Sequence, residues 1–159
     1  MNFDEAFTAL MGNEGSYSCH PEDPGAETMW GVTARVARQA GYMGNMRDLP
    51  LDTAKQIARN QYWNAVRADE LPSTVRFDVF DASYNSGPKQ AIKWLQRAVG
   101  STEDGLFGPG TMAAVDKTDP DVIYRRFNGY RLRFYTSLPT WGAFGKGWVN
   151  RIADNMLRA

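Results

Sequence analysis

Apolar residues recur at intervals of three and four along most of the chain, and the intervals break into separate amphipathic segments. Phe3, Phe7, Leu10 and Met11 share one face of a helix predicted over residues 3–13, and Asn2 with Glu5 three positions on supplies a capping box at its start. From Glu14 to Gly31 neither the helical nor the strand period holds, and the glycines and prolines there predict an irregular loop with room for a small β-hairpin. A loop of that length inside a compact chain is itself a candidate functional segment. Thr33 to Gln39 reads as a short helix ended by Gly41, and Asp52 as the N-cap of a helix carrying Ala54, Ile57, Ala58, Tyr62 and Val66.

Val75, Phe77, Val79, Phe80, Ala82 and Tyr84 wrap around most of a helix predicted over residues 74–84, which suits a central element buried on several sides. Asn85-Ser86-Gly87 ends it and Pro88 opens the next, whose stripe is Ala91, Ile92, Leu95 and Val99 and which closes at Gly100. Pro109 takes the first turn of a shorter helix with Met112 and Val115. Asp119-Pro120 starts the longest helix, with Ile123, Phe127, Tyr130 and Phe134 as its stripe and Arg125, Arg126, Arg131 and Arg133 as its other face. Leu138-Pro139 ends that helix, a Gly-rich turn follows, and Trp148, Val149, Ile152, Ala153 and Met156 define a terminal amphipathic helix. The expected class is all-α, seven or eight helices in a single compact domain, with a composition shift after Gly87 that divides it into regions 1–86 and 87–159.

Composition narrows the chemistry. At 43% hydrophobic with five tryptophans the 159-residue chain is apolar enough for one core and too interrupted by charge for a membrane span. Lys+Arg and Asp+Glu both number 18, a balance that argues against a nucleic-acid partner. The charge is uneven: residues 1–50 hold three Lys/Arg against seven Asp/Glu, and residues 121–159 hold seven against two. The basic flank reads either as a solvated helix face or as a contact for an anionic wall polymer or outer membrane. A monomer is expected. The opening Met1-Asn2-Phe3-Asp4-Glu5 lacks a signal-peptide pattern, so synthesis without classical export is expected. One His and one Cys are too few for a catalytic zinc site, and Cys19 and His20 are sequence neighbours, positions whose side chains usually point apart, a poor start for nucleophilic catalysis. No phosphate loop or dinucleotide fingerprint is present, so neither cofactor nor metal is expected.

What remains is carboxylate chemistry. Glu14, Glu22, Asp23 and Glu27 fall within fourteen positions, alongside Tyr17, Thr28 and Trp30. Glycoside hydrolysis needs one carboxylic acid to protonate the leaving oxygen and a second carboxylate or polar group to place water or stabilise the oxocarbenium-like transition state. Glu14 follows the helix of residues 3–13, where the negative end of the helix dipole favours the protonated carboxyl; the same position also suits a solvated helix-end glutamate. Asp23 follows after eight intervening residues and Thr28 after four more, a spacing that resembles, with about one residue of difference, the Glu, Asp, Thr arrangement of phage lysozymes.

The longer string Glu14-Gly15-Ser16-Tyr17, Asp23-Pro24-Gly25-Ala26-Glu27-Thr28 and Gly31-Val32-Thr33 resembles the signature of the glycoside hydrolase family 108 muramidases, with Ser16 and Ala26 where that family carries glycine. Asn85-Ser86-Gly87, Leu95-Gln96-Arg97-Ala98, Asp104-Gly105-Leu106-Phe107-Gly108-Pro109 and Phe144-Gly145-Lys146-Gly147-Trp148 with Asn150-Arg151 resemble the peptidoglycan-binding-like region that follows in the family. The resemblance implies a lysozyme-like bacteriophage endolysin: a catalytic region over 1–86, a peptidoglycan-binding-like region over 87–159, and Glu14 as the acid cleaving between N-acetylmuramic acid and N-acetylglucosamine. It implies a water-holding or loop-shaping role for Asp23 and a water-orienting one for Thr28, with Tyr17, Trp30, Tyr84 and Asn85 as candidates for the sugar groove; for Tyr84 core packing is the stronger expectation. The peptidoglycan glycan strand is then the partner, and the host cytoplasm the place of accumulation before lysis. A lytic transglycosylase on the same bond and a non-catalytic wall-binding module stay open as alternatives.

Overall fold

The structure, a computed structural model, describes residues 1–13, 16–19 and 27–158, with Asn13 through its backbone only. Helix α1 (Phe3–Asn13) begins with the expected capping box, in which Asn2 N donates to Glu5 Oε2 at 2.8 Å and Glu5 N to Asn2 Oδ1 at 3.0 Å. Strands β1 (Thr28–Met29) and β2 (Val32–Thr33) pair antiparallel around Trp30-Gly31, whose φ angles are 55° and 76°. Two positive φ values suit the twist of a tight hairpin; Gly31 adopts its angle freely, whereas Trp30 is held there against its preference. Thr33 then caps α2 (Ala34–Gln39), its Oγ1 accepting from Val36 N.

Helix α3 (Leu51–Ala58) runs into one π-helical turn, Arg59–Trp63, and is followed by α4 (Ser73–Ser86), α5 (Pro88–Val99), α6 (Pro109–Lys117), α7 (Pro120–Thr136) and α8 (Trp141–Leu157). Prolines open α5, α6 and α7 at the turn where a missing N–H costs nothing, and Gly100 closes α5 with φ 72°. Asp119 caps α7 by accepting from Asp121 N and Val122 N.

α4 lies between two aromatic clusters. On one side Trp63 meets Phe3 at 5.4 Å and Phe80 at 5.2 Å edge-on; on the other Trp94 meets Phe134 at 5.2 Å and Phe127 at 6.3 Å. Gln96, buried in α5, explains the Asp104–Pro109 string as a turn. The two hydrogens of its Nε2 are shared among Asp104 Oδ1, Leu106 O and Thr111 Oγ1, while its Oε1 accepts from Gly105 N at 2.9 Å.

Four details depart from the pattern reading. Pro50 occupies the N-cap of α3, so Asp52 sits inside the first turn. α8 starts at Trp141, so the expected Gly-rich turn is helical; Gly145 is small because a Cβ there would lie 2.5 Å from the Trp141 indole. The buried stripe of α8 is Gly145, Ile152 and Asn155, whereas Val149 and Met156 are exposed; α8 equals α7 at 17 residues. Arg131 leaves the expected basic face and is fully buried, because it continues the stripe Ile123, Phe127 and Tyr135 at steps of four.

Arg131 is buried for Asp81. Its Nη2 donates to Asp81 Oδ2 at 2.7 Å, Arg151 Nε donates to Oδ1 at 2.9 Å, and Asn155 Nδ2 donates to Oδ2 at 3.0 Å. Burial alone would push the Asp81 carboxyl up, but the Arg131 and Arg151 charges outweigh it and hold the group below the usual aspartate range. Replacing Asp81 by Asn should cost roughly 3–5 kcal/mol in urea unfolding, since it leaves the buried Arg131 without a counter-charge; a loss under about 1 kcal/mol would show that the cluster is dispensable for stability.

Asp78, one turn earlier on α4, has the opposite fate. It is 4% exposed, its Oδ1 has no partner among the described residues, and burial pushes its pKa up to about 6 against the opposing influence of Asn128 and Arg131. The unfolded group titrates near its ordinary 3.8, so stability from the protonated acid is complete below about pH 4 and is lost as pH rises through 6. Asp78→Asn should therefore stabilise the protein by up to about 3 kcal/mol at pH 8 and by little at pH 4. Unfolding curves at the two pH values check this, and an equal effect at both would contradict it.

Candidate active site

The hairpin is held at both ends. Ser18 pairs with Thr28 through backbone bonds of 3.0 and 2.8 Å, and their hydroxyls lie 2.8 Å apart, so Thr28 is tied both to Ser18 and across the hairpin to Thr33. Tyr17 Oη donates to Glu27 Oε1 at 3.0 Å, a bond that raises the phenol pKa, and the Arg47 guanidinium covers its ring at 3.8 Å. One face of Tyr17 is thereby occupied within the protein.

At the turn, Trp30 Nε1 donates to Leu49 O at 2.9 Å, and Tyr84 Oη donates to Trp30 O at 2.8 Å. These two bonds fix the strained Trp30 backbone from opposite sides. Tyr84 is buried against Tyr62 at 4.7 Å and Phe80 at 6.3 Å, so its ring belongs to the core and only its hydroxyl reaches the hairpin. Asn85, the next residue, is exposed; its Oδ1 accepts from Tyr135 Oη at 2.9 Å. Tyr135 Oη in turn accepts from Arg131 Nε at 3.1 Å, and its ring stacks on Trp148 at 5.0 Å.

The structure thus joins Thr28, Trp30 and Tyr84 through one hairpin, with Tyr17 beside Ser18 at its edge, and places Asn85 at the end of the same helix as Tyr84. Glu14 and Asp23 lie outside the described residues, as do His20 and Glu22. α1 ends at Asn13, immediately before Glu14 in sequence, and Arg158 Nη1 caps its last turn at Ala9 O with a 2.9 Å bond. Sequence reasoning passed over Asp81 and Tyr135 and placed Arg131 on a basic outer face. Two aspartates three apart among Val75, Phe77, Val79, Phe80 and Ala82 were the available signal, because a buried carboxylate demands a cation from a neighbouring element.

Comparison with known proteins supplies the class. The family model described as Glycosyl hydrolase 108 matches residues 7–87, and that described as "Predicted Peptidoglycan domain" matches residues 90–153. Among solved structures, SagA of Brucella abortus is similar over 98% of this chain and 92% of that one, with 36% sequence identity and a TM-score of 0.90. No curated protein matches significantly. Fold and matches together define a mainly helical, lysozyme-like glycoside hydrolase that acts on peptidoglycan. The chain belongs to the glycosyl hydrolase 108 family, with a peptidoglycan-domain match in its second half.

Tyr84→Phe removes the bond that Tyr84 Oη donates to the hairpin at Trp30 O. The ring keeps its packing while Trp30 O loses a donor, so stability should fall by about 1 kcal/mol and amide exchange across residues 28–33 should quicken about fivefold. Unchanged exchange there would show that Leu49 alone holds the turn.

Proposed function

We propose that the chain is an endolysin-type muramidase that hydrolyses the β-1,4 bond between N-acetylmuramic acid and N-acetylglucosamine, with Glu14 as general acid. The family match over residues 7–87 carries this reading, because it encloses Glu14, the residue that follows α1, together with the hairpin tied by Thr28 and Trp30. A helix's carbonyl end disfavours a further negative charge and so favours retention of a proton by a carboxyl beside it. Arg158 at Ala9 O offsets part of that influence.

In the proposed reaction Glu14 delivers its proton to the glycosidic oxygen as the C–O bond breaks, the ring passes through an oxocarbenium-like state, and water completes the hydrolysis. Thr28 Oγ1, held by Ser18, orients that water, and Asp23 either binds it or shapes the loop. The protein accumulates in the host cytoplasm and meets the wall when the membrane opens. With Arg131 in the core, the outward basic residues of α7 are Arg125, Arg126 and Arg133, which would face the anionic surface of the envelope.

Glu14→Gln tests the proposal. Clearing of purified sacculi should slow by roughly 10²–10⁴-fold while sacculus binding and melting temperature stay as they were. Products should carry reducing N-acetylmuramic acid ends by mass spectrometry. Wild-type clearing by Glu14→Gln removes the general-acid assignment, and anhydro-muramic ends replace hydrolysis by transglycosylation.

A further inference from the structure

A cavity of about 390 Å³ opens where α1, α4 and α8 converge, lined by Gly12 from the last turn of α1, Asn85 from the end of α4, and Gly147, Trp148, Asn150, Arg151 and Asp154 from α8. Its volume lies within the range of small-molecule sites. We infer that α8, although it falls in the half matched by the peptidoglycan domain, forms one wall of the glycan groove, with Trp148, Asn150 and Asp154 contacting N-acetylated sugars. This inference rests on the function proposed above.

Three observations carry it. The lining brings together the groups an N-acetylhexosamine strand requires: amides at Asn85 and Asn150 for acetamido groups, a carboxylate at Asp154 for hydroxyls, and an indole at Trp148 for the apolar face of a ring. Asn150 and Asp154 are exposed and their side chains make no hydrogen bond or ion pair to another described residue, so their side-chain polar atoms are available to a ligand.

The lining is also held in place from behind. Asn85 is fixed by Tyr135 Oη at 2.9 Å, Trp148 stacks on the same Tyr135, and Arg151 is anchored to Asp81 Oδ1 by bonds of 2.9 and 2.8 Å. Groups fixed before binding lose little freedom when a ligand arrives.

Gly147 supplies the third observation. A glycine inside a helix costs about 1 kcal/mol relative to alanine. At Gly145 the Trp141 indole requires it, but a Cβ built on Gly147 meets no described residue within 4 Å. Among the described residues no packing calls for a glycine at position 147, and its place in the cavity lining means that any side chain there would intrude on the space.

The test uses the full chain. Gly147→Leu should raise KM for sacculi about tenfold with kcat little changed, which is the pattern for lost ground-state binding, and should leave the melting temperature equal or higher. Asn150→Ala, at an exposed position, should raise KM about three- to tenfold. Gly142→Leu, in the first turn of the same helix and outside the cavity lining, should behave as wild type. Wild-type KM for Asn150→Ala together with wild-type KM for a folded Gly147→Leu overturns the inference; should Gly147→Leu melt early, Asn150→Ala decides alone. Glu14→Gln measured in parallel separates the two claims: an active Glu14→Gln sinks the proposed function, whereas an inactive one beside normal α8 variants sinks only the groove wall.

Discussion

The carboxylate of Asp81 is the point on which three helices meet. It accepts from Arg131 on α7 and from Arg151 and Asn155 on α8 while lying on α4, so it belongs to the hydrolase match and its two arginine donors to the peptidoglycan-domain match. A cluster of this kind is a poor source of net stability, because removing three charges from water costs about what their attraction returns. Its contribution is one of register. Apolar side chains slide past one another at little cost, whereas a carboxylate between two guanidinium groups accepts one rotation and one axial position of each helix.

That register reaches the surface through Tyr135. The same phenol accepts from Arg131, donates to Asn85 and stacks on Trp148, so the residues bordering the cavity are set by a group that Asp81 holds indirectly. The hairpin is positioned from the other side of α4, by the Tyr84 hydroxyl on the Trp30 carbonyl. One helix, packed on both faces, therefore carries on consecutive residues, Tyr84 and Asn85, the supports of two separate parts of the site. Its near-uniform burial follows from this: a helix that must brace both halves has no face to spare for solvent.

Most helix limits were legible because they depend on local chemistry. The Asn2–Glu5 box, the prolines at 88, 109 and 120 and Gly100 act within one turn of themselves and needed no tertiary knowledge. The errors arise where a residue answers to a distant partner. Arg131 reads as surface charge until Asp81 is known, fifty positions away, and Gly145 reads as a turn until the Trp141 ring against it is known. For the site, the family resemblance singled out Tyr17, Thr28, Trp30, Tyr84 and Asn85, and the structure adds what each one touches. Trp148 stood in the sequence as part of a string and of a helix stripe, and Asn150 as part of the string alone, because their relation to Gly12 and Asn85 exists only once α8 has docked.

Docking is also what makes α8 a helix. Gly142, Gly145 and Gly147 within 17 residues lower its intrinsic stability by about 3 kcal/mol relative to alanine, enough to leave an isolated segment unfolded in water. Its helicity must come from the face that packs, where Trp148, Ile152 and Asn155 meet the core and Arg151 reaches Asp81. Gly145, on the buried stripe, and Gly142 and Gly147, on the exposed side, are thus tolerable because the packed face holds the helix. The cavity-lining residues Gly147, Asn150 and Asp154 and the cluster-binding Arg151 and Asn155 thus lie on one helix, so the cluster that docks α8 also places the residues that border the cavity.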